Sequence, residues 1–157
     1  MTRRAVLALA LLALGGCTAG GIPASPGGGG ASIAQITKID VSLAAFPLQN
    51  TSAGPALGYS PEVTTVSVGS GVEFVNVDNT SHTATAIAGA TAFPATTPFS
   101  ASAVDASATT DVSGAWSSGT LQPGASSQVF LIDRTGTYYY GCFFHYSGNM
   151  RGIIVAQ

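Results

Sequence analysis

Cys142-Phe143-Phe144-His145-Tyr146-Ser147-Gly148-Asn149-Met150 sets a thiol, an imidazole and a thioether in the pattern C-x2-H-x4-M. A second imidazole, His82, stands far upstream in Asn79-Thr80-Ser81-His82. One thiolate and two imidazoles in a plane, with a weak axial thioether, are the donor set of a copper ion that gains and loses single electrons. Sulfur donors suit Cu(I), whereas imidazole suits both oxidation states. Zinc also accepts thiolate and imidazole, but the thioether makes copper the better match. The chain has two histidines, two cysteines and two methionines. Met1 opens it and Cys17 has a separate explanation, so every other donor of these types belongs to the one constellation. Taken singly, each residue has a plainer role. A lone cysteine is usually a small buried hydrophobe, a lone histidine a hydrogen-bonded structural residue, and a lone methionine core filling. The joint spacing favours the metal.

Four donors separated in this way need a rigid frame, and the chain from Ile36 onward reads as β-structure. Ile36 to Phe46 alternates, with Ile39, Val41 and Leu43 on one face. Val63–Val68 and Val72–Val77 are β-branched runs separated by the turn signal Gly69-Ser70-Gly71. Thr83–Ala88, Gln128–Ile132, Thr137–Tyr140 and Gly152–Ala156 are further strand candidates, the middle two joined by Asp133-Arg134-Thr135-Gly136. Short strands with Gly and Pro turns, and no long helical period, point to an all-β antiparallel sandwich or barrel. Residues 89–113, rich in Ala, Ser and Thr, read as an irregular insertion carrying a short helix, pinned to the sandwich by Phe93 and Phe99. Trp116 and the Tyr138-Tyr139-Tyr140 triplet read as core and sheet surface rather than an electron relay. Cys142 should end one strand and Met150 open the next, so that the loop between them aims three donors at one point.

The N-terminus has a different character. Met1-Thr2-Arg3-Arg4 is positive, Ala5 to Leu14 is apolar, and Gly15-Gly16-Cys17 follows. An apolar run of this length is shorter than the ~20 residues needed to span a bilayer and fits an export signal. The small residues before Cys17 resemble a bacterial lipobox, which implies cleavage before Cys17 and lipidation of that cysteine. An ordinary signal peptide with an unrelated cysteine is the other reading. Thr18 to Gly30, with four consecutive glycines and two prolines, is a flexible tether. The expected organisation is therefore a lipoprotein signal over residues 1–16, the lipidated cysteine and linker over 17–34, and one folded domain over 35–157. Such a chain is extracytoplasmic, anchored to a bacterial membrane through Cys17 at the periplasm or cell surface. There Cys142 has no cysteine left to pair with, and a free thiol outside the cytosol calls for an explanation that metal ligation supplies. From residue 17 on, Lys38, Arg134 and Arg151 face seven carboxylates, a net charge of −4. With no basic cluster, the chain lacks the footprint of a nucleic-acid binder.

The segment Val63–Gln157 resembles a cupredoxin, a type 1 blue copper protein of the plastocyanin kind. The matching pieces are Val66-Ser67-Val68-Gly69 with Val72 to Asn76, Asp78 to His82, Ser118 to Gly124, Gly136 to Cys142, His145 to Met150, and Gly152 to Val155. The insertion is left unmatched. The resemblance implies a Greek-key β-sandwich with one copper held by Cys142, His82 and His145 in the plane and by Met150 axially. It also implies that His145 reaches the surface in an apolar patch, here with Phe144 and Tyr146. In that family the residue after the first histidine ties the two ligand loops together. Asparagine is usual there, and this chain has Thr83.

Three function classes follow from such a site. The first is a membrane-tethered, monomeric electron carrier between redox proteins, with a cytochrome, oxidase or reductase as donor or acceptor. The second is a copper protein for storage, delivery or resistance, which Met-rich or His-rich tracts would favour and the chain lacks. The third is an enzyme. Multicopper oxidases and nitrite reductases resemble cupredoxins but need further histidines, whereas His82 and His145 are already committed.

Overall fold

The computed structural model describes residues 32–157. The expected signal, Cys17 and the expected linker up to residue 31 lie outside the described residues. Ten strands are present there: β1 Ile36–Val41, β2 Gln49–Thr51, β3 Gly54–Ala56, β4 Tyr59–Ser60, β5 Val63–Val66, β6 Gly71–Asn76, β7 Thr85–Ala86, β8 Phe130–Leu131, β9 Gly136–Gly141 and β10 Arg151–Ala156. One sheet has the order β4-β1-β6-β8 and the other β5-β10-β9-β7, and β2 and β3 form a separate hairpin. The all-β sandwich expected from the sequence is the fold.

Two pairings depart from the antiparallel expectation. β1 runs parallel to β6, and β5 runs parallel to β10. The cause lies in the chain's path. From β4 to β9 it changes sheet at every step, so it re-enters a sheet in a direction set by the crossing. The Gly69-Ser70-Gly71 turn joins β5 to β6 across the sandwich, and residues 132–135 likewise join β8 to β9. Neither turn closes a hairpin. Within the two main sheets only β9 and β10 are both consecutive and paired, with Gly141 opposite Arg151 and Gly136 opposite Ala156. Their connection is the Cys142–Met150 loop.

Alternation builds the core. Ile39 and Val41 of β1, and Val72 and Phe74 of β6, turn inward and are fully buried. Tyr140 of β9 and Ile154 of β10 face them from the other sheet. Tyr59, Phe74, Trp116, Phe130 and Tyr140 form an aromatic centre in which the Tyr59 and Tyr140 rings lie 4.8 Å apart, edge to face. Burying one such ring contributes about 1.5–3 kcal/mol. The Tyr140 ring crosses the strand partner Gly152, where an added Cβ would collide with the phenol. A side chain at 152 would therefore expel the ring.

The insertion is irregular apart from a 3-10 turn, Ala101–Val104, and isolated bridges from Ala106 to Ser118 and from Asp111 to Leu131. Phe93 packs edge-on against Tyr139 and Phe99 against Tyr146, each at 5.3 Å between centroids. These are the two pins expected from the sequence. Trp116 is 2 % exposed and Tyr140 fully buried, whereas Tyr138 and Tyr139 are half-buried.

Candidate metal centre

The ligand loop closes on itself. The Cys142 N–H donates to Met150 O at 3.0 Å, and the Met150 N–H donates to His145 O at 3.3 Å. A 3-10 turn over Tyr146–Gly148 follows His145, and Asn149 then adopts φ 70°. This left-handed conformation suits Asn better than most residues, and it turns the chain back into β10. The x4 spacing is thus one tight turn plus one reversal.

His82 arrives by a different route. After β6 the chain loops through residues 77–81, and His82 then exchanges two backbone hydrogen bonds with Leu121, at 3.1 and 2.8 Å. Beneath it, the Asn76 side-chain amide donates to Thr80 O and Leu121 O, each at 2.8 Å. The segment from Trp116 to Leu121 pairs alongside His82–Ala86, a strand-like run that sequence patterning missed because Ser117, Ser118 and Gly119 interrupt it.

Together these segments gather three candidate ligands. A ring nitrogen of His82, Cys142 Sγ and a ring nitrogen of His145 all lie within 4.8 Å of one another. Nδ1 of His82 is 3.9 Å from Cys142 Sγ, and Nδ1 of His145 is 3.5 Å away. His82 and Cys142 are fully buried, and His145 is half-buried beside the exposed Phe144. Met150, the fourth sequence-derived donor, is fully buried at the end of the same loop. Its side chain lies against Gly58, where a Cβ would come within 2.8 Å of Cγ. The expected residues therefore share one end of the sandwich, and Cys17 lies outside the described residues.

Thr83 links the two halves. Its hydroxyl accepts the Phe143 N–H at 2.8 Å, and its own N–H donates to Cys142 Sγ at 3.4 Å. Threonine thus joins the ligand loops where the family pattern has asparagine. Tyr59 adds a hydrogen bond from its hydroxyl to Thr83 O.

Sequence reasoning missed the back of His82. Its Nε2 lies 3.2 Å from Asp78 Oδ2 and 3.2 Å from Thr80 Oγ1. An Asp four residues ahead of a candidate ligand was the available signal. Burial works against charge on Asp78, but hydrogen bonds from Asn79, His82, Leu43 and Ala44 outweigh it and hold its pKa at about 2. Burial pushes the Cys142 thiol up, and hydrogen bonds from Thr83, Phe144 and His145 partly offset this. Burial and the neighbouring His82 lower the pKa of His145, with Asp78 acting the other way, a direction that favours the neutral ring needed for ligation.

The donors fit a copper ion: imidazole nitrogens converge on a buried thiol sulfur, and no second cluster of this kind is present among the described residues. No curated protein matches the chain. Among solved structures, a purple cupredoxin from Nitrosopumilus maritimus is similar over 77 % of this chain and 99 % of its own, at 21 % identity and TM-score 0.47. Plastocyanin from Dryopteris crassirhizoma is similar over 77 % and 100 %, at 24 % identity and TM-score 0.45. A point mutant of amicyanin in its Cu(I) form is similar over 78 % and 82 %, at 16 % identity and TM-score 0.49. The family model for copper binding proteins of the plastocyanin/azurin family matches residues 47–157. With most of the chain under that match, the protein belongs to the plastocyanin/azurin family of copper-binding cupredoxins.

Proposed function

We propose that this cupredoxin is a single-electron carrier whose copper would be held by His82, Cys142, His145 and Met150. The observation that carries the reading is the convergence of two imidazole nitrogens on one buried thiol, all within 4.8 Å. Copper, when bound, supplies the Cu(II)/Cu(I) couple. The chain's own residues do the rest. Cys142 Sγ would hold the metal as a thiolate, since thiol ligands must be deprotonated. Thr83 holds the thiolate's loop against the His82 segment, and the buried aromatic centre keeps water from that side. His145 is the one candidate ligand with an exposed aromatic neighbour, Phe144 at 44 % exposure, and its ring edge is the short way out for an electron. A donor and an acceptor protein would dock there. Complete burial of His82 and Cys142 favours retained copper over exchangeable copper, and so favours a carrier over a storage or delivery role. It is not an enzyme in this reading, because both histidines serve the one site.

Loading the chain with Cu(II) should give an intense visible band from thiolate-to-copper charge transfer and a narrow copper hyperfine splitting. A colourless protein with an ordinary tetragonal copper spectrum would sink the proposal. The sequence around Cys17 supports a carrier tethered outside the cytosol as a lipoprotein. Incorporation of labelled fatty acid that disappears in Cys17→Ser is the expected result, and equal labelling of both would refute the tether.

A further inference from the structure

Asp78 is a buried carboxylate aimed at the rear of a candidate ligand. Its side chain is 5 % exposed and that of His82 is fully buried. Oδ2 accepts the Leu43 N–H at 2.7 Å and faces His82 Nε2 at 3.2 Å, while Oδ1 accepts the Asn79 N–H at 2.7 Å. The Asp78 N–H in turn donates to Asn76 Oδ1 at 2.9 Å. Oδ2 also accepts the Ala44 N–H at 3.4 Å, so three backbone N–H groups hold the carboxylate besides the imidazole.

An ionised carboxylate only accepts hydrogen bonds. Its contact with His82 thus requires the proton to sit on Nε2, which leaves the Nδ1 lone pair bare on the side facing Cys142 Sγ. A charged acceptor also draws on the N–H bond and makes the ring a more basic donor. In a site with little water that charge is weakly screened, and it stabilises the more highly charged metal state. We propose that Asp78 is a positioning residue for His82, fixing the Nε2–H tautomer and biasing the bound copper toward Cu(II). The inference rests on the copper site proposed above.

The test measures the reduction potential of the copper-loaded full chain with Asp78→Asn, which keeps the shape but removes the charge. Losing such a partner costs about 10–100-fold in metal affinity. If the loss falls on Cu(II), the potential rises by about 59 mV for each tenfold. Thr80→Val removes the neutral partner of the same nitrogen and should shift the potential less. An unchanged potential in Asp78→Asn, or an equal shift in Thr80→Val, overturns the assignment. Nitrogen-15 spectra of the metal-free wild-type chain give a readout independent of copper and of whether the variant folds. His82 should carry its proton on Nε2, and a proton on Nδ1 overturns the proposal. A colourless protein with the Nε2–H tautomer would count against the copper site alone.

Discussion

The two halves of the metal centre are held in opposite ways. Cys142, His145 and Met150 share one loop whose backbone hydrogen bonds run mostly among Cys142, His145, Tyr146, Gly148, Asn149 and Met150, with one from outside, the Leu57 N–H to Asn149 O at 3.0 Å. That loop joins the one consecutive, paired couple of strands in the two main sheets. His82 depends on partners distant in sequence: Leu121 through the backbone, Leu43 through Asp78, and Cys142 and Phe143 through Thr83. The loop is a local device, and the His82 shelf is a product of the whole sandwich. Where the ligands come from a single turn, short-range geometry suffices. Where one ligand comes from across the fold, several hydrogen bonds between segments do the aligning.

Substitutions can break that contrast. The largest effect is expected from Cys142→Ser, which removes the thiolate shared by both halves. The visible charge-transfer band should vanish from the copper-loaded protein, and a band of undiminished intensity would mean that the loop is not the site. Thr83→Val should come next. It leaves the Phe143 N–H without its acceptor, which costs about 1–3 kcal/mol, read as a lower unfolding midpoint in denaturant. A midpoint equal to that of wild type would show that the loop holds its place without the shelf. Asn149→Val is the smallest, a local change forcing a β-branched residue into φ 70° at about 1–2 kcal/mol. Asn149→Gly should be close to neutral by the same measurement. A large loss from the glycine variant would mean that the Asn149 side chain, and not its backbone conformation, closes the loop.

The same contrast explains what could be read in advance. Strand positions were legible, because Ile39, Val41, Val72 and Phe74 alternate as a half-buried sheet demands. The strands β2, β3 and β4 were not, since short runs containing Gly54, Pro55 and Gly58 carry no period. Turn positions at residues 69–71 and 133–136 were visible, yet their role was not. A glycine turn reads alike whether it folds a hairpin or crosses between sheets, and only packing against the opposite sheet decides. The threonine at 83 departs from the family's asparagine. Its hydroxyl accepts the Phe143 N–H, a contact between residues sixty apart that no local pattern announces.

By itself, the sequence determined the chemistry: which donors exist, how three of them are spaced on one turn, and that their frame is β-structure. Spacing within a tight loop is a short-range quantity, so composition and order are enough to express it. Tertiary structure alone decided the parallel pairings, the bridging role of Thr83 and the carboxylate behind His82. Those contacts join residues brought together by burial of a shared core, and their distance along the chain leaves no periodic or local trace.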